Sequence, residues 1–393
     1  MSATALATPV LGDALLGVYR PASPVFVAGR GAVLIDEEGR EYLDFTSGIG
    51  VTALGHGDPG VAAAASEALA SGLIHTSNLF RTSPAMKLAQ ELVECSFADR
   101  VFFCNSGAEA NEAAIKFARR WAGAHGPSTK REIVALKGSF HGRLMGSLAL
   151  TDRPSYRAPF EPLMGGARFL DPLALDDAAA VVSSERTAAI FVEPVQGEGG
   201  VRPLPAATLV RLRELADEAD ALLVFDEVQC GLGRTGRLFA YESSGVVPDL
   251  LTLAKPLAGG LPMGAVLLSE RVAEAVKPGD HATTFGGGPV VSAVARHVLR
   301  RLADEELLAR VRRIGERLAG ELAALPGVLE ARGVGLMWGI ELDGPAAPVM
   351  AAALEHGLLV TTAGENVVRL LPPLTVSDAE LESGLAILRE VLG

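Results

Sequence analysis

Two ionisable residues of this chain, Asp226 and Lys255, have the types and positions of a reactive pair. Each ends an apolar segment that is typical of a buried strand, residues 222–225 and 249–254, and open α/β sheets carry their chemistry at strand ends. A lysine amine forms a Schiff base with a carbonyl cofactor, and a carboxylate keeps a pyridine nitrogen protonated so that the ring accepts electrons. The pair predicts a pyridoxal phosphate (PLP) site. For these two residues alone, a structural salt bridge is the alternative.

Further polar residues follow other predicted strands. The turn Ser106-Gly107-Ala108 lies between a strand that ends at Cys104 and a helix that starts at Glu109, and the free backbone N–H groups of such a helix start can bind a phosphate. The other groups at strand ends are an aromatic ring, an arginine and a second carboxylate, namely Phe140, Arg143 and Glu193. Because parallel strands end at one edge of a sheet, we expect all these groups to surround one crevice.

The elements that must position these groups alternate along the chain. The predicted strands are residues 101–104, 132–136, 188–192, 221–225, 250–254 and 265–268, with helices over 109–121 and 204–219. Strands alternating with helices indicate βαβ units and a mainly parallel sheet, so the fold class is α/β. Near the N-terminus, residues 33–45 are typical of a hairpin.

The pattern changes near residue 290, which indicates a second domain. Amphipathic helical periodicity covers residues 291–324, and strands are predicted over 334–342 and 367–371. We therefore expect an N-terminal segment with the hairpin (1–50) that forms part of a small domain. A large PLP-binding domain (51–280) and a C-terminal small domain (281–393) follow. A length of 393 residues agrees with more than one core.

Composition narrows the class of protein. Hydrophobic residues make up 49% and charged residues 21%, as in a globular enzyme, and the net charge of -12 argues against nucleic-acid or anionic-membrane partners. Three cysteines are too few for a disulfide framework, which favours a reducing compartment. No Lys or Arg precedes the apolar residues of the N-terminus, and no uncharged apolar stretch reaches 18 residues. We predict a cytoplasmic protein without a membrane segment or a metal site.

Five segments at these positions resemble the class III aminotransferases of PLP fold type I. They are residues 103–112 (FCNSGAEANE), 140–143 (FHGR), 193–200 (EPVQGEGG), 226–229 (DEVQ) and 253–255 (LAK). The similarity extends from about Tyr19 to the C-terminus, and the acetylornithine aminotransferases are the most similar group. The resemblance implies a large domain with a mainly parallel central sheet and a smaller α+β domain. It also implies transamination of N-acetylornithine with 2-oxoglutarate, giving N-acetylglutamate 5-semialdehyde and glutamate, as in arginine biosynthesis.

The resemblance also assigns roles around the cofactor. Lys255 would form the Schiff base, Asp226 would pair with the pyridine nitrogen, Gln229 would bind the ring hydroxyl and Phe140 would stack on the ring. The remaining cofactor-binding residues that it implies are Ser106, Gly107, Ala108, Glu193, Val228 and Thr284. Thr284 would reach the phosphate of a second subunit, so a homodimer with shared active sites is implied.

Substrate carboxylates are expected to bind arginine, because a planar guanidinium can hold a carboxylate through two hydrogen bonds. The candidates are Arg143 and Arg369, and Thr283 is predicted to contact substrate. In the family, Glu198 acts as a switch: it covers Arg369 when an ω-amino substrate binds and releases it for the α-carboxylate of glutamate. A surface salt bridge is the alternative for each of these three charged residues.

Three positions depart from the family pattern. Pro256 follows the lysine where glycine is usual, Gly288 replaces a common asparagine and Thr283 a common serine. These departures leave the PLP prediction intact and the amino donor open. Ornithine, 4-aminobutyrate or a carrier-bound lysine precursor are alternative donors of related ω-aminotransferases.

The alternatives from other classes of protein are a dinucleotide-binding dehydrogenase and an inactive scaffold. Residues 231–236 fit the GxGxxG fingerprint of dinucleotide-binding proteins, but they do not follow a strand directly and no long helix comes after them. An inactive scaffold is disfavoured because it would need neither Lys255 nor Asp226. His141 is predicted to be a packed structural histidine rather than a base.

Overall fold

The computed structural model describes residues 15–19 and 22–393. Its centre is a seven-stranded sheet. Across the sheet the strands are Arg100–Cys104, Gly264–Leu268, Leu250–Leu253, Leu222–Asp226, Thr187–Val192, Glu132–Leu136 and Ala167–Leu170. Only Gly264–Leu268 runs antiparallel to its neighbours, and every other pairing in this sheet is parallel. The prediction of an α/β fold with a mainly parallel sheet is confirmed.

Helices cover both faces of this sheet. This explains why polar and apolar residues do not alternate along its central strands. Every residue of Thr187–Val192 and of Leu222–Asp226 is buried. Helix Gly107–His125 buries a face rich in alanine, which lets its backbone approach the strands closely. Helix Ala206–Glu218 buries Leu209, Leu212 and Leu215, at the helical spacing expected of a core-facing stripe.

Two smaller sheets flank the central one. The first contains Phe26–Arg30, Val33–Asp36, Glu41–Asp44 and Leu358–Leu359, and the second contains Val328–Val334, Met337–Leu342, Val367–Leu370 and Thr361–Thr362. The predicted N-terminal hairpin is confirmed, since its two strands pair antiparallel. The first sheet joins residues from both ends of the chain. The domain boundaries at 50/51 and 280/281 stay a prediction.

The structure of the C-terminal part corrects two of the secondary-structure predictions. The strand predicted over 334–342 is confirmed for Met337–Leu342 but starts too early, because Val328–Val334 forms a separate strand that pairs antiparallel with it around a turn at Gly335, whose φ is 58°. The helical stretch 291–324 consists of two helices, Pro289–Leu302 and Glu305–Ala323. The break between them is stabilised by Asp304, whose side chain accepts a hydrogen bond from the backbone N–H of Glu306.

Several elements were not predicted. The longer helices among them are Pro59–Ala70, Ser83–Glu94, Ala346–Glu355 and Asp378–Leu392. The short helices are Met145–Ala149, Pro154–Arg157 and Glu270–Ala273, and a small hairpin joins Val195–Gln196 to Arg202–Pro203. Among the described residues, no helix has the length and apolar content needed to cross a membrane.

Candidate active site

A cavity of about 400 Å³ lies at the edge of the central sheet where its parallel strands end. Most of the predicted site residues line it. They are Ser106, Gly107, Ala108, Phe140, Arg143, Glu193, Glu198, Asp226, Val228, Gln229 and Lys255. The inference that separate strand ends deliver their polar groups to one crevice is therefore correct, because these residues follow five different strands of the sheet.

Lys255 follows strand Leu250–Leu253 and begins a short 3-10 helix that ends at Ala258. Its φ of 28° is unusual for a residue with a side chain and indicates local backbone strain. Pro256 lies in the first turn of this short helix, where a helix uses no backbone N–H, so the departure from glycine fits the local structure. Burial lowers the pKa of the Lys255 amine, and the negative charge of Asp226 opposes this only in part.

Asp226 is held by three hydrogen bonds. Its Oδ2 accepts one from Asn111 Nδ2 at 2.7 Å and lies 2.8 Å from His141 Nδ1, while Oδ1 accepts one from the Val228 N–H at 3.0 Å. The hydroxyl of Thr252 donates to Asn111 Oδ1 at 2.9 Å, which fixes the orientation of that amide. The carboxylate therefore has one orientation at the cavity wall.

His141 is buried and packs edge-to-face on Phe191, as predicted for a structural histidine. Burial opposes its protonation, but the hydrogen bond to Asp226 and the charge of that residue raise the pKa of His141. Asn111 was not assigned a role from the sequence. The available signal was its position four residues after Gly107, which places it one helical turn further along the same face.

Glu193 connects two loops of the site. Its Oε1 accepts the Phe140 N–H at 2.8 Å and its Oε2 accepts the Gly197 N–H at 3.2 Å. Burial raises the pKa of Glu193 to about 7. Because both oxygens accept backbone N–H groups, this side chain orients Phe140 and the start of the small hairpin.

Arg369 and Glu198 form an ion pair beside the cavity, with 2.5 Å between Nη1 and Oε1. Arg369 Nη1 also lies 3.3 Å from Gln229 Oε1, and Nε donates to the Thr361 hydroxyl at 3.1 Å. The Arg369 side chain is only 2% exposed and that of Glu198 is 26% exposed. A surface salt bridge is therefore the wrong reading for Arg369: its charge is buried and requires a partner.

Arg143 stands at the exposed rim of the same cavity and is held differently. Its Cζ lies 3.5 Å from the ring centroid of Tyr156 and 5.8 Å from that of Phe140. In the described part of the chain it forms no salt bridge, so its guanidinium is available to an anionic ligand.

Thr283 and Thr284, the two threonines predicted to lie at the site, do not line the cavity of their own chain. The Thr283 hydroxyl accepts a hydrogen bond from Asn105 Nδ2 at 3.1 Å, and its carbonyl accepts one from Asn78. Thr284 is exposed and borders a separate cavity of about 230 Å³. Gly288 is the residue before helix Pro289–Leu302, where an asparagine side chain would cap the helix start.

The GxGxxG segment has no role at the site. Residues 231–236 form a loop, and the next element is the short 3-10 helix Ala240–Ser243. Within the loop, Arg234 is buried and donates to the carbonyls of Leu336 and Pro372 at 2.9 and 2.5 Å. The segment lacks the strand–turn–helix context of a dinucleotide site, so the dehydrogenase alternative is wrong.

Comparisons with known proteins agree with this geometry. The family model described as aminotransferase class-III matches residues 19–392. An acetylornithine aminotransferase of Alnus glutinosa, named as mitochondrial, is 51% identical over 97% of this chain and 86% of its own length. An acetylornithine aminotransferase of Xylella fastidiosa is 48% identical over 100% of this chain and 98% of its own length.

Solved structures of aminotransferases are also similar to this chain. An N-acetylornithine aminotransferase of Stenotrophomonas maltophilia has a TM-score of 0.82 and 42% identity, covering 94% of this chain and 96% of that one. An ornithine aminotransferase of Toxoplasma gondii has a TM-score of 0.90 and 33% identity, covering 96% and 92%. A further structure of the Toxoplasma enzyme is described as having PLP at partial occupancy in its active site. This chain therefore belongs to the class III aminotransferases, which are PLP-dependent enzymes.

Proposed function

We propose that the protein transfers the δ-amino group of N-acetylornithine to 2-oxoglutarate, giving N-acetylglutamate 5-semialdehyde and glutamate, a reaction of arginine biosynthesis. The observation that carries this proposal is the pairing of Arg369 with Glu198 beside a cavity in which Arg143 has no ionic partner among the residues that the structure describes. Such a site offers one free guanidinium to an ω-amino acid and can offer two to glutamate. The names of the similar relatives support the choice of donor.

The residues present fit PLP. A Cβ atom on Gly107 would stand 2.6 Å from Val228 Cγ1, so only glycine leaves room between this helix start and the cavity wall. Helix Gly107–His125 begins here and offers free backbone N–H groups to a phosphate. The other groups are an amine for a covalent bond, a carboxylate for a pyridine nitrogen and an aromatic ring for stacking. When bound, PLP supplies the electron sink that stabilises a carbanion.

Lys255 has two tasks in this proposal. Its amine binds the cofactor covalently, and a lowered pKa leaves more of it neutral and nucleophilic at neutral pH. When its amine is free, Lys255 Nζ would move a proton to and from the amino-bearing carbon of the substrate. Asp226 would hold the proton of the pyridine nitrogen, because Asn111 and His141 fix the direction of its carboxylate.

Glu198 and Arg369 allow one cavity to accept two kinds of substrate. With the ion pair closed, as in this structure, the cavity presents a covered positive charge and suits the aminoalkyl end of an ω-amino acid. For glutamate, Glu198 must move away so that Arg369 can bind the α-carboxylate. Arg143 binds the remaining carboxylate in both cases.

A homodimer with shared sites is part of the proposal. Thr284 is exposed, and large apolar side chains are exposed on the same chain at Leu79, Phe80 and Phe285. Phe80 and Phe285 border the same small cavity as Thr284. Exposed apolar clusters of this kind mark protein interfaces, and they support a partner subunit that receives Thr284 at its phosphate. Three unpaired cysteines support a cytoplasmic location.

The experiment that tests the substrate is a comparison of amino donors. Purified holoenzyme is mixed with N-acetylornithine, ornithine, 4-aminobutyrate or glutamate, and conversion of the bound cofactor is followed by visible absorption. We expect the highest kcat/KM among ω-amino donors for N-acetylornithine. A higher value for ornithine or 4-aminobutyrate would reject this donor and retain the mechanism.

Substitution of Gly107 tests the phosphate end of the site. We expect Gly107→Ala to displace Val228 towards the cofactor and to weaken PLP binding about tenfold or more, since overpacking costs about 1–3 kcal/mol. The measurement is titration of cofactor-depleted protein with PLP. Gly123→Ala is the matched control, because this exposed glycine of the same helix has open space around it. It should bind PLP normally, and equal weakening in both variants would contradict the assignment.

Substitution of Arg369 tests the switch. We expect Arg369→Ala to lower kcat/KM of the glutamate half-reaction about 100-fold, because a charged hydrogen-bonding partner is lost and Glu198 is left to repel carboxylates. The N-acetylornithine half-reaction should change much less. Rapid-mixing absorption of each half-reaction gives both values, with the exposed Arg100→Ala as control. Equal losses in the two half-reactions would reject the switch.

A further inference from the structure

Arg143 is oriented by an aromatic ring instead of a carboxylate. Its Cζ lies 3.5 Å from the Tyr156 ring centroid, well within the range of cation–π interactions. Stacking occupies the flat face of a guanidinium and leaves its N–H groups, which lie in the plane, free to donate to a carboxylate. Arg369 differs, since its N–H groups are already bonded to Glu198 and Thr361. Arg143 is therefore ordered by the ring and, within the described ranges, has no carboxylate bound to its guanidinium.

Tyr156 itself is firmly placed. It lies on the short helix Pro154–Arg157, and its N–H donates to the Arg153 carbonyl at 2.9 Å. The segment that leads into this helix is bound to the loop that carries Phe140 and Arg143. The Asp152 N–H donates to the Ser139 carbonyl at 2.9 Å, and the Asp152 carboxylate accepts the Gly138 N–H at 2.9 Å.

The segment is bound to the other side of the site as well. The Arg153 guanidinium donates to the backbone carbonyl of Glu198. One short stretch of chain, residues 152–157, thus contacts both the arginine at the rim and the hairpin that carries the switch glutamate. The half-buried ring of Tyr156 has the Arg143 guanidinium stacked on its face.

We propose that Tyr156 is a positioning residue for substrate specificity, which holds Arg143 ready to bind the carboxylate that both substrates share. This inference rests on the proposed function, in which Arg143 binds that carboxylate. An arginine that is ordered before binding loses less side-chain freedom when the ligand arrives. Tyr156 consequently strengthens binding of carboxylate-bearing substrates and has little effect on the chemical step.

The test uses holoenzyme and three variants. Tyr156→Leu and Tyr156→Gln remove the ring, whereas Tyr156→Phe retains it. The ligands are glutarate, a dicarboxylate without a reactive group, whose Kd is measured by calorimetry, and the substrates glutamate and 1-aminopentane, an amine without a carboxylate. We expect the ring-free variants to raise the glutarate Kd and the glutamate KM about tenfold, with kcat within about twofold of wild type. Tyr156→Phe and the 1-aminopentane kcat/KM should match wild type.

Two results would overturn the inference. One is an unchanged glutarate Kd in both ring-free variants. The other is an equal loss with 1-aminopentane, which would mean that the ring only supports the local structure. In the Arg143→Ala background, Tyr156→Leu should have no further effect on glutarate, and an additive effect would also reject the role. A wild-type preference for another ω-amino donor would reject the proposed reaction alone, since glutarate binding does not depend on the donor.

Discussion

Lys255→Ala will lose the covalent bond to the cofactor and at least about 10⁴-fold of its turnover, because general acid–base catalysis at this position is removed along with the nucleophile. Lys255 is the only lysine among the described residues that line the cavity. No neighbouring amine can therefore replace it. The covalent bond is measured separately from activity: borohydride reduction followed by mass spectrometry should show the cofactor attached to wild type and absent from the variant.

The matched control is Lys130, a buried lysine outside the cavity. Its Nζ donates to the Ala219 carbonyl at 3.0 Å. Lys130→Met should lower the melting temperature and leave both cofactor attachment and kcat intact. A reducible adduct or a wild-type rate in Lys255→Ala would refute the mechanism. Loss of the adduct in both variants would show that replacing a buried lysine prevents cofactor attachment by disturbing the fold.

Asp226→Asn is expected to lower kcat about 10²- to 10³-fold, the range found when a preorganised electrostatic group is removed. The amide has nearly the same shape as the carboxylate, but its NH2 group must take the place of either Oδ2 or Oδ1. In wild type both oxygens accept hydrogen bonds from the protein, Oδ2 from Asn111 Nδ2 at 2.7 Å and Oδ1 from the Val228 N–H at 3.0 Å, and the amide carries no negative charge. The neutral side chain therefore can no longer hold a proton on the pyridine nitrogen.

The readout that goes beyond rate is the ¹⁵N chemical shift of labelled PLP, which reports protonation of the pyridine nitrogen. We expect a protonated ring in wild type and an unprotonated ring in Asp226→Asn. Asp249→Asn is the control, since Asp249 is also buried but binds the Leu223 N–H and Arg213 away from the cavity. It should be less stable with an unchanged shift. A protonated ring in Asp226→Asn would contradict the role of Asp226.

The central sheet and most of the site were predictable because their signals are local. An apolar run followed by a polar residue marks a buried strand end, and parallel strands bring such ends to one edge. This reasoning placed Glu193, Asp226 and Lys255 correctly. It failed for the C-terminal hairpin, where Leu336 continues the apolar pattern through a turn that only the positive φ of Gly335 reveals.

Contacts between distant segments left weaker signals or none. The pairing of Glu198 with Arg369 joins residues that are 171 positions apart, and only the family resemblance pointed to it. The network of Asn111 and His141 around Asp226 depends on how a helix and two loops pack. Tyr156 lies in a segment without a recognisable motif, so its stacking on Arg143 became visible only when the fold placed the two side chains together.

The pairing of the chain's two ends has a consequence for how the enzyme is made. Strand Glu41–Asp44 pairs in parallel with Leu358–Leu359, and the Ser47 hydroxyl donates to the Leu371 carbonyl 324 positions away. During synthesis, strand Glu41–Asp44 cannot complete its pairing until Leu358–Leu359 has been translated. Contacts between such distant segments form slowly. All strands of the central sheet precede Arg369 in the sequence, because the last of them ends at Leu268. In the proposed mechanism, the arginine that binds the α-carboxylate of glutamate is thus added only after the cofactor-binding core has been synthesised.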